Sequence, residues 1–214
     1  MKKNYTKNPT NKPKIRKKPN SRQDSNTKIT SIRIIGGIFR GRILNIEILP
    51  NTRPTKAIVR ESVFNTLQNF ISNRTFIEVF AGYGSVGFEA LSRGAKEVIF
   101  IEKDIKSFRI LEQNIALFTD KIPHLKDKLK TYNEDSFIFL TKLDKNIDIF
   151  YFDPPFGENG EYYLQSFEIL EKLNLDNKMI IFEHISNFKM PCKLKNLNLI
   201  KTKKFGRTSI SYYQ

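Results

Sequence analysis

From Thr75 onward the chain alternates short apolar runs with amphipathic stretches, and this rhythm restricts it to one kind of architecture. Residues 76–80 read as a strand, 85–93 as a helix that Gly94 can end, and 97–101 as a second strand. A helix over 105–118 follows, with Phe108, Leu111, Ile115 and Phe118 on one face. Residues 129–132 make a weaker third strand, 136–143 a helix, and 147–152 a strongly apolar fourth strand. The next helix covers 162–173 and a fifth strand 179–182, while 197–205 and 208–213 form an antiparallel pair around Gly206-Arg207. Such alternation requires an α/β fold, a parallel sheet covered on both faces.

The part before Thr75 has a different character. Residues 1–28 hold ten Lys/Arg against one acid, Asp24, with three prolines and almost no apolar residues, so no core can form there. They carry +9 of the +15 formal charge. Residues 32–43 alternate β-formers with glycines and read as a hairpin. Pro54 then opens a helix in which Ile58, Val63, Phe64, Leu67 and Phe70 should face a core. The expected organisation is a disordered basic tail (1–28), a hairpin-and-helix extension (29–72) and an α/β domain (73–214). The charge suits a polyanionic partner. A single cysteine, Cys192, excludes an intramolecular disulfide, and with only His124 and His184 besides, no metal is expected. No apolar run approaches the roughly 20 residues that cross a bilayer, so a cytoplasmic monomer without membrane contact is expected.

After the first strand comes Gly82-Tyr83-Gly84-Ser85-Val86-Gly87, a G-x-G-x-x-G opening a helix, where glycines permit a tight turn and close approach of a ligand. Glu102, 20 residues past Gly82, ends the second strand and can accept bonds from the hydroxyls of an adenosine ribose. A dinucleotide unit shows the same spacing. Glu78, however, sits just before Phe80-Ala81-Gly82, where it would repel a pyrophosphate and suit the ammonium of a methionine moiety. The expected cofactor is therefore S-adenosylmethionine. Asp104 should cap the helix that follows Glu102. Asp135, after the third strand, either accepts from an adenine amino group or caps the next helix.

The fourth strand runs into Asp153-Pro154-Pro155-Phe156, at the carboxyl edge where doubly wound folds bind ligands. Two prolines stiffen the turn and remove two donors, leaving carbonyl acceptors. An exocyclic amine is a poor nucleophile because its lone pair is delocalised into the ring. Asp153 and a loop carbonyl can accept its two N–H groups and aim the nitrogen, while Phe156 stacks on the base. The reaction would be direct displacement dominated by positioning.

Taken together these residues resemble the RsmD-type methyltransferases of bacteria. The resemblance runs from about Ile32 to the C-terminus. It is carried by Arg33-Ile34-Ile35-Gly36-Gly37 with Arg40-Gly41-Arg42, by Arg53-Pro54-Thr55, and by Val59-Arg60-Glu61-Ser62-Val63-Phe64-Asn65. It continues through Phe80-Ala81-Gly82-Tyr83-Gly84-Ser85-Val86-Gly87, Glu89-Ala90-Leu91-Ser92-Arg93-Gly94 and Asp153-Pro154-Pro155-Phe156. It implies a Rossmann-like, seven-stranded sheet with a reversed last strand, and methylation of a guanine N2 in small-subunit (16S) ribosomal RNA. It also implies that the hairpin and the Arg53-Pro54-Thr55 segment border cofactor and RNA. Tyr83 departs from the small residue common at its position. The expected cofactor set is Glu78, Phe80, Gly82, Gly84, Glu102, Asp135 and Thr55. Arg33, Arg40, Arg42, Arg53 and Arg60 are candidates for RNA-backbone contact, because arginine dominates this segment of a lysine-rich chain and binds phosphate bidentately. An adenine-N6 methyltransferase and a noncatalytic ribosome-assembly factor are the alternatives.

Overall fold

The computed structural model describes residues 28–48, 57–155 and 160–214. Most of the basic tail and the candidate residues Arg53, Thr55 and Phe156 lie outside them. β1 (Lys28–Arg33) and β2 (Ile43–Ile48) form an antiparallel hairpin, followed by α1 (Ala57–Leu67). Then come β3 (Thr75–Glu78), α2 (Ser85–Ser92), β4 (Glu97–Ile101) and α3 (Ile105–Thr119). A 3-10 helix (Pro123–Lys128) leads to β5 (Leu129–Tyr132), α4 (Ser136–Thr141), β6 (Ile149–Phe152) and α5 (Glu161–Leu170). The chain closes with β7 (Met179–Ile185), β8 (Lys193–Leu194), β9 (Leu197–Phe205) and β10 (Thr208–Tyr213).

The sheet order is β5-β4-β3-β6-β7-β10-β9-β8. The first five strands are parallel, and β10 is antiparallel to both β7 and β9. The expected seven strands are present, and the two-residue β8 adds an eighth at the edge. Because β3, β4, β6 and β7 are apolar on both faces, the sheet must be covered twice. Phe76, Val98, Phe100, Tyr151 and Ile181 pack beneath α1, α2 and α3. Ile77, Ile99, Phe150, Phe152 and Phe182 pack with residues of α4 and α5 on the other face. The order reverses at β3, whose neighbours are β4 and β6, so the switch-point crevice opens at the carboxyl ends of β3 and β6.

Two expectations about the N-terminal part are corrected. Helix α1 buries Val59, Arg60, Val63, Phe64 and Leu67, while Ile58 is 61% exposed. Counting back by helical turns from Leu67 through Val63 and Phe64 reaches Arg60, so the stripe itself carries the arginine inward. The hairpin arms also reach beyond the expected 32–43 span at both ends and overlap it only at Ile32, Arg33 and Ile43. Its centre, residues 34–42, is an irregular loop fastened to α2. Glu89, fully buried on that helix, accepts from the amides of Ile35 and Gly36, both at 2.8 Å. Ser92 accepts from the Phe39 amide and donates to the Gly36 carbonyl. Asn114 of α3 accepts from the Asn45 amide and donates to the Asn45 and Tyr83 carbonyls.

Candidate active site

The backbone of the chain leaving β3 is divided between its two neighbours. The Val79 amide donates to the Tyr151 carbonyl of β6, and the Ala81 amide to the Ile101 carbonyl of β4. The glycine loop is thereby suspended over the switch point, and the segment leaving β6 enters directly beside it. Asp153 is partly exposed there, Pro154 is buried and Pro155 exposed.

Within the loop the three glycines have different reasons. Gly82 takes φ +53°, and the space its missing Cβ would occupy is open for 4 Å. Gly84 and Gly87 are packing positions: a Cβ would stand 2.6 Å from Leu111 and 2.3 Å from Phe100. Only Gly82 therefore offers a bare backbone face to a ligand, and Gly84, expected to do the same, turns inward. Tyr83 is buried, and its backbone carbonyl accepts from Asn114.

Glu102 stands at the carboxyl end of β4. One oxygen accepts from the Gly82 amide at 2.7 Å and the other from the Asp104 amide at 2.7 Å. Burial raises its pKa above the usual carboxylate range. Each oxygen keeps a lone pair that could accept from a hydroxyl beside the open face of Gly82. Asp104 caps α3 through the Ser107 amide, as expected. Asp135 caps α4, accepting from the amides of Phe137 and Ile138, and pairs with Lys103 at 2.8 Å. The bond from Lys103 lowers its pKa. Its cap role is thus present, with Oδ1 engaged by the two amides and Oδ2 by Lys103. The Phe80 ring stands edge-on to Phe137 and Tyr162, with centroids 5.6 and 6.3 Å away. Phe137 and Tyr162 make an aromatic wall beside Phe80 that sequence reasoning missed. Their aromatic character at helix starts was the available signal.

Glu78 differs from expectation. Its carboxylate is 3% exposed and accepts from the amides of Val86 and Gly87 at the start of α2, at 3.2 and 2.8 Å. It braces the helix terminus through those two bonds. Burial pushes its pKa up to about 8, against the pull of those amides and of Arg60. Above the ordinary carboxylate pKa the folded state therefore holds a proton that the unfolded chain has lost. Stability falls as pH rises through this interval and levels off above about 8. A melting series from about pH 5 to about pH 9 should show that decline, and Glu78→Gln should flatten it by several degrees in Tm. An equal slope in both proteins would refute the assignment.

The arginine candidates do not converge. Arg60, 3% exposed, donates to the Arg33 carbonyl at 2.9 Å and lies in the field of Glu89, Tyr151, Glu78 and Glu183. It is an interior cation, and the expectation of a phosphate contact is withdrawn for it. Arg42 covers the rings of Phe39 and Phe118. Arg40 is exposed, and Arg33 is exposed with a bond to the Gly41 carbonyl. Ser92 ends α2 and Phe118 lies in the last turn of α3, both at the amino end of the strands. Arg40 and Arg42 are therefore carried to the edge opposite Asp153.

A family model described as conserved hypothetical protein 95 matches residues 32–214. The chain is 33% identical over 186 residues to ribosomal RNA small subunit methyltransferase D of Haemophilus influenzae, covering 86% of this chain and 93% of that protein. The Escherichia coli protein of the same name is 31% identical over 185 residues, covering 86% and 89%. The solved structure of the methyltransferase-like protein yhhF from Escherichia coli superposes with a TM-score of 0.71 at 31% identity, covering 86% of this chain and 98% of that one.

Proposed function

The chain belongs to the conserved hypothetical protein 95 family, the family of the RsmD-type methyltransferases, and from that premise we propose that it methylates the N2 amine of a guanine in small-subunit ribosomal RNA. The observation that carries this reading is the juxtaposition at the switch point. Asp153-Pro154-Pro155 leaves β6 beside the strand whose loop offers the bare Gly82 face and the Glu102 carboxylate.

S-adenosylmethionine, when bound, supplies an electrophilic methyl on a sulfonium. Glu102 would hold its ribose and Gly82 would let it lie against the backbone. Asp135 would border the adenine beside the Phe80 ring. Phe80, Phe137 and Tyr162 exclude water from that side. Asp153 and a proline-loop carbonyl would accept the two N–H groups of the amine, and Asp153 would take the proton released on methylation. Most of the rate then comes from holding the nitrogen in line, which alone can contribute several kcal/mol. The RNA must present an unpaired or extruded guanine, since the amine is unreachable inside a stacked helix. The enzyme is proposed to act as a cytoplasmic monomer without a metal.

Mass-spectrometric mapping of ribosomal RNA from cells with and without the protein tests this. One N2-methylguanine in the small-subunit RNA should disappear when the protein is absent. A lost N6-methyladenine, or an unchanged methylation map, would overturn the reading.

A further inference from the structure

Between Ser186 and Gln214 the chain has seven Lys/Arg and no Asp/Glu, whereas residues 29–185 hold twenty basic and twenty-one acidic residues. All the positive excess beyond the basic tail is therefore concentrated in the last strands. Lys203, Lys204 and Arg207 stand at one end of this region, and among the described residues no ion pair engages them. Lys204 and Arg207 are exposed, and the half-buried Lys203 donates only to the Ser62 hydroxyl at 3.0 Å. Among the described residues no carboxylate neutralises these charges.

The topology brings this cluster to the mouth of the site. β10 is antiparallel to both β7 and β9, so β9 points the same way as the parallel strands and ends on the edge that carries Asp153. The register is specific. Phe152 pairs with Phe182, the following residue Glu183 pairs with Ile210, and Ile210 pairs with Lys203. Lys203 thus stands level with Asp153, three strand spacings away, or about 14 Å. Arg207 lies farther out at the hairpin tip. The tip is tied to the end of β7, because the Ser186 amide donates to the Arg207 carbonyl and the Ser186 hydroxyl to the Gly206 carbonyl, both at 2.9 Å.

We propose that Lys203, Lys204 and Arg207, on the tip of the β9–β10 hairpin, form a phosphate-contacting surface that holds the RNA strand flanking the target base. The proposal rests on the reading of this site as an RNA methyltransferase. It gives that site the basic flank that Arg40 and Arg42, on the opposite edge, do not supply. Lysines also protect free sheet edges from pairing, and β8 covers β9 only at Leu197 and Asn198. That role accounts for charge along the strand. It does not require one sign, nor an arginine at the turn.

The difference is measurable. In the full chain, K203E/K204E/R207E keeps the edge charged but reverses its sign. The proposal expects the KM for undermethylated small subunits to rise at least about tenfold, and the salt slope of log affinity to fall by about 2–3. The Kd for S-adenosylmethionine and the kcat at saturating subunits should be unchanged. The double variant K204E/R207E, confined to exposed positions, should reduce the slope by about 1–2 and serves if the triple variant does not fold. A monodisperse variant with unaltered KM and salt slope would overturn the proposal and leave edge protection as the role of these residues. Wild-type protein that transfers no methyl to small subunits would overturn the parent reading, and this proposal with it.

Discussion

Asp153→Ala is expected to lower kcat for methyl transfer to small subunits by about 10²–10³-fold, with the Kd for S-adenosylmethionine within about threefold of wild type. The split follows from the architecture. β6 is buried along its whole length, so its end is rigidly placed, and Pro154 fixes the chain immediately after Asp153. Under the proposed function the carboxylate is held where the amine would arrive, while the groups proposed for the cofactor leave from β3, β4 and β5. Removing it deletes an acceptor and the proton's destination without disturbing Gly82 or Glu102. Asp153→Asn keeps one acceptor oxygen and loses the charge, so its activity should lie between the two. Single-turnover transfer of labelled methyl, together with calorimetry of cofactor binding, makes the comparison. Transfer within about threefold of wild type in the alanine variant would remove Asp153 from the chemistry.

The largest expected effect on stability belongs to Glu89. Its carboxylate is fully buried and accepts from Ile35, Gly36 and the Arg93 Nε, all at 2.8 Å. Glu89→Ala leaves two backbone amides and a guanidinium unsatisfied, at a cost of about 3–5 kcal/mol. For a domain of this size that corresponds to a fall in Tm of roughly 10 °C. Glu89→Gln should do little better, because its NH2 group would face one of the two amides donor to donor. Limited proteolysis should show cleavage on the N-terminal side of Ile34 long before the sheet is attacked. A Tm within about 2 °C of wild type would show that the loop is held by other means.

These two residues illustrate what the sequence reveals and what it conceals. The placement of Asp153 at the end of β6 was legible because it is set locally: an apolar strand, an acid, two prolines. The same is true of Gly82 with Glu102, and of Asp104, whose cap is set within three residues. Glu89 carries no local signature. Two of its three partners lie 54 and 53 residues upstream, and its i,i+4 pairing with Arg93 is one that any surface acid of a helix can make. Arg60 was misread for a related reason. Its side chain lies on the apolar stripe of α1, but an arginine invites assignment to solvent unless its acidic surroundings are known. Those surroundings, Glu78, Tyr151 and Glu183, are contributed by three strands of the assembled sheet. Glu78 was correctly linked to the glycine loop, yet its two amide bonds depend on how α2 leaves that loop. The basic hairpin tip was visible as composition but acquired a location only from the strand order.

The fastening of residues 34–42 to α2 and α3 also fixes an order of assembly. Ile35 and Gly36 are synthesised before Glu89, and Asn45 is 69 residues ahead of Asn114. At typical rates of translation the loop waits roughly 3–10 s for its first anchor. β1 and β2 alone are too small a unit to persist in water without that support. A segment that leaves the ribosome before its anchors is therefore among the last to settle, and it is the natural place for unfolding to begin. A protein proposed to modify ribosomes would then emerge from one with this hairpin ahead of its anchors and its catalytic sheet still to be made.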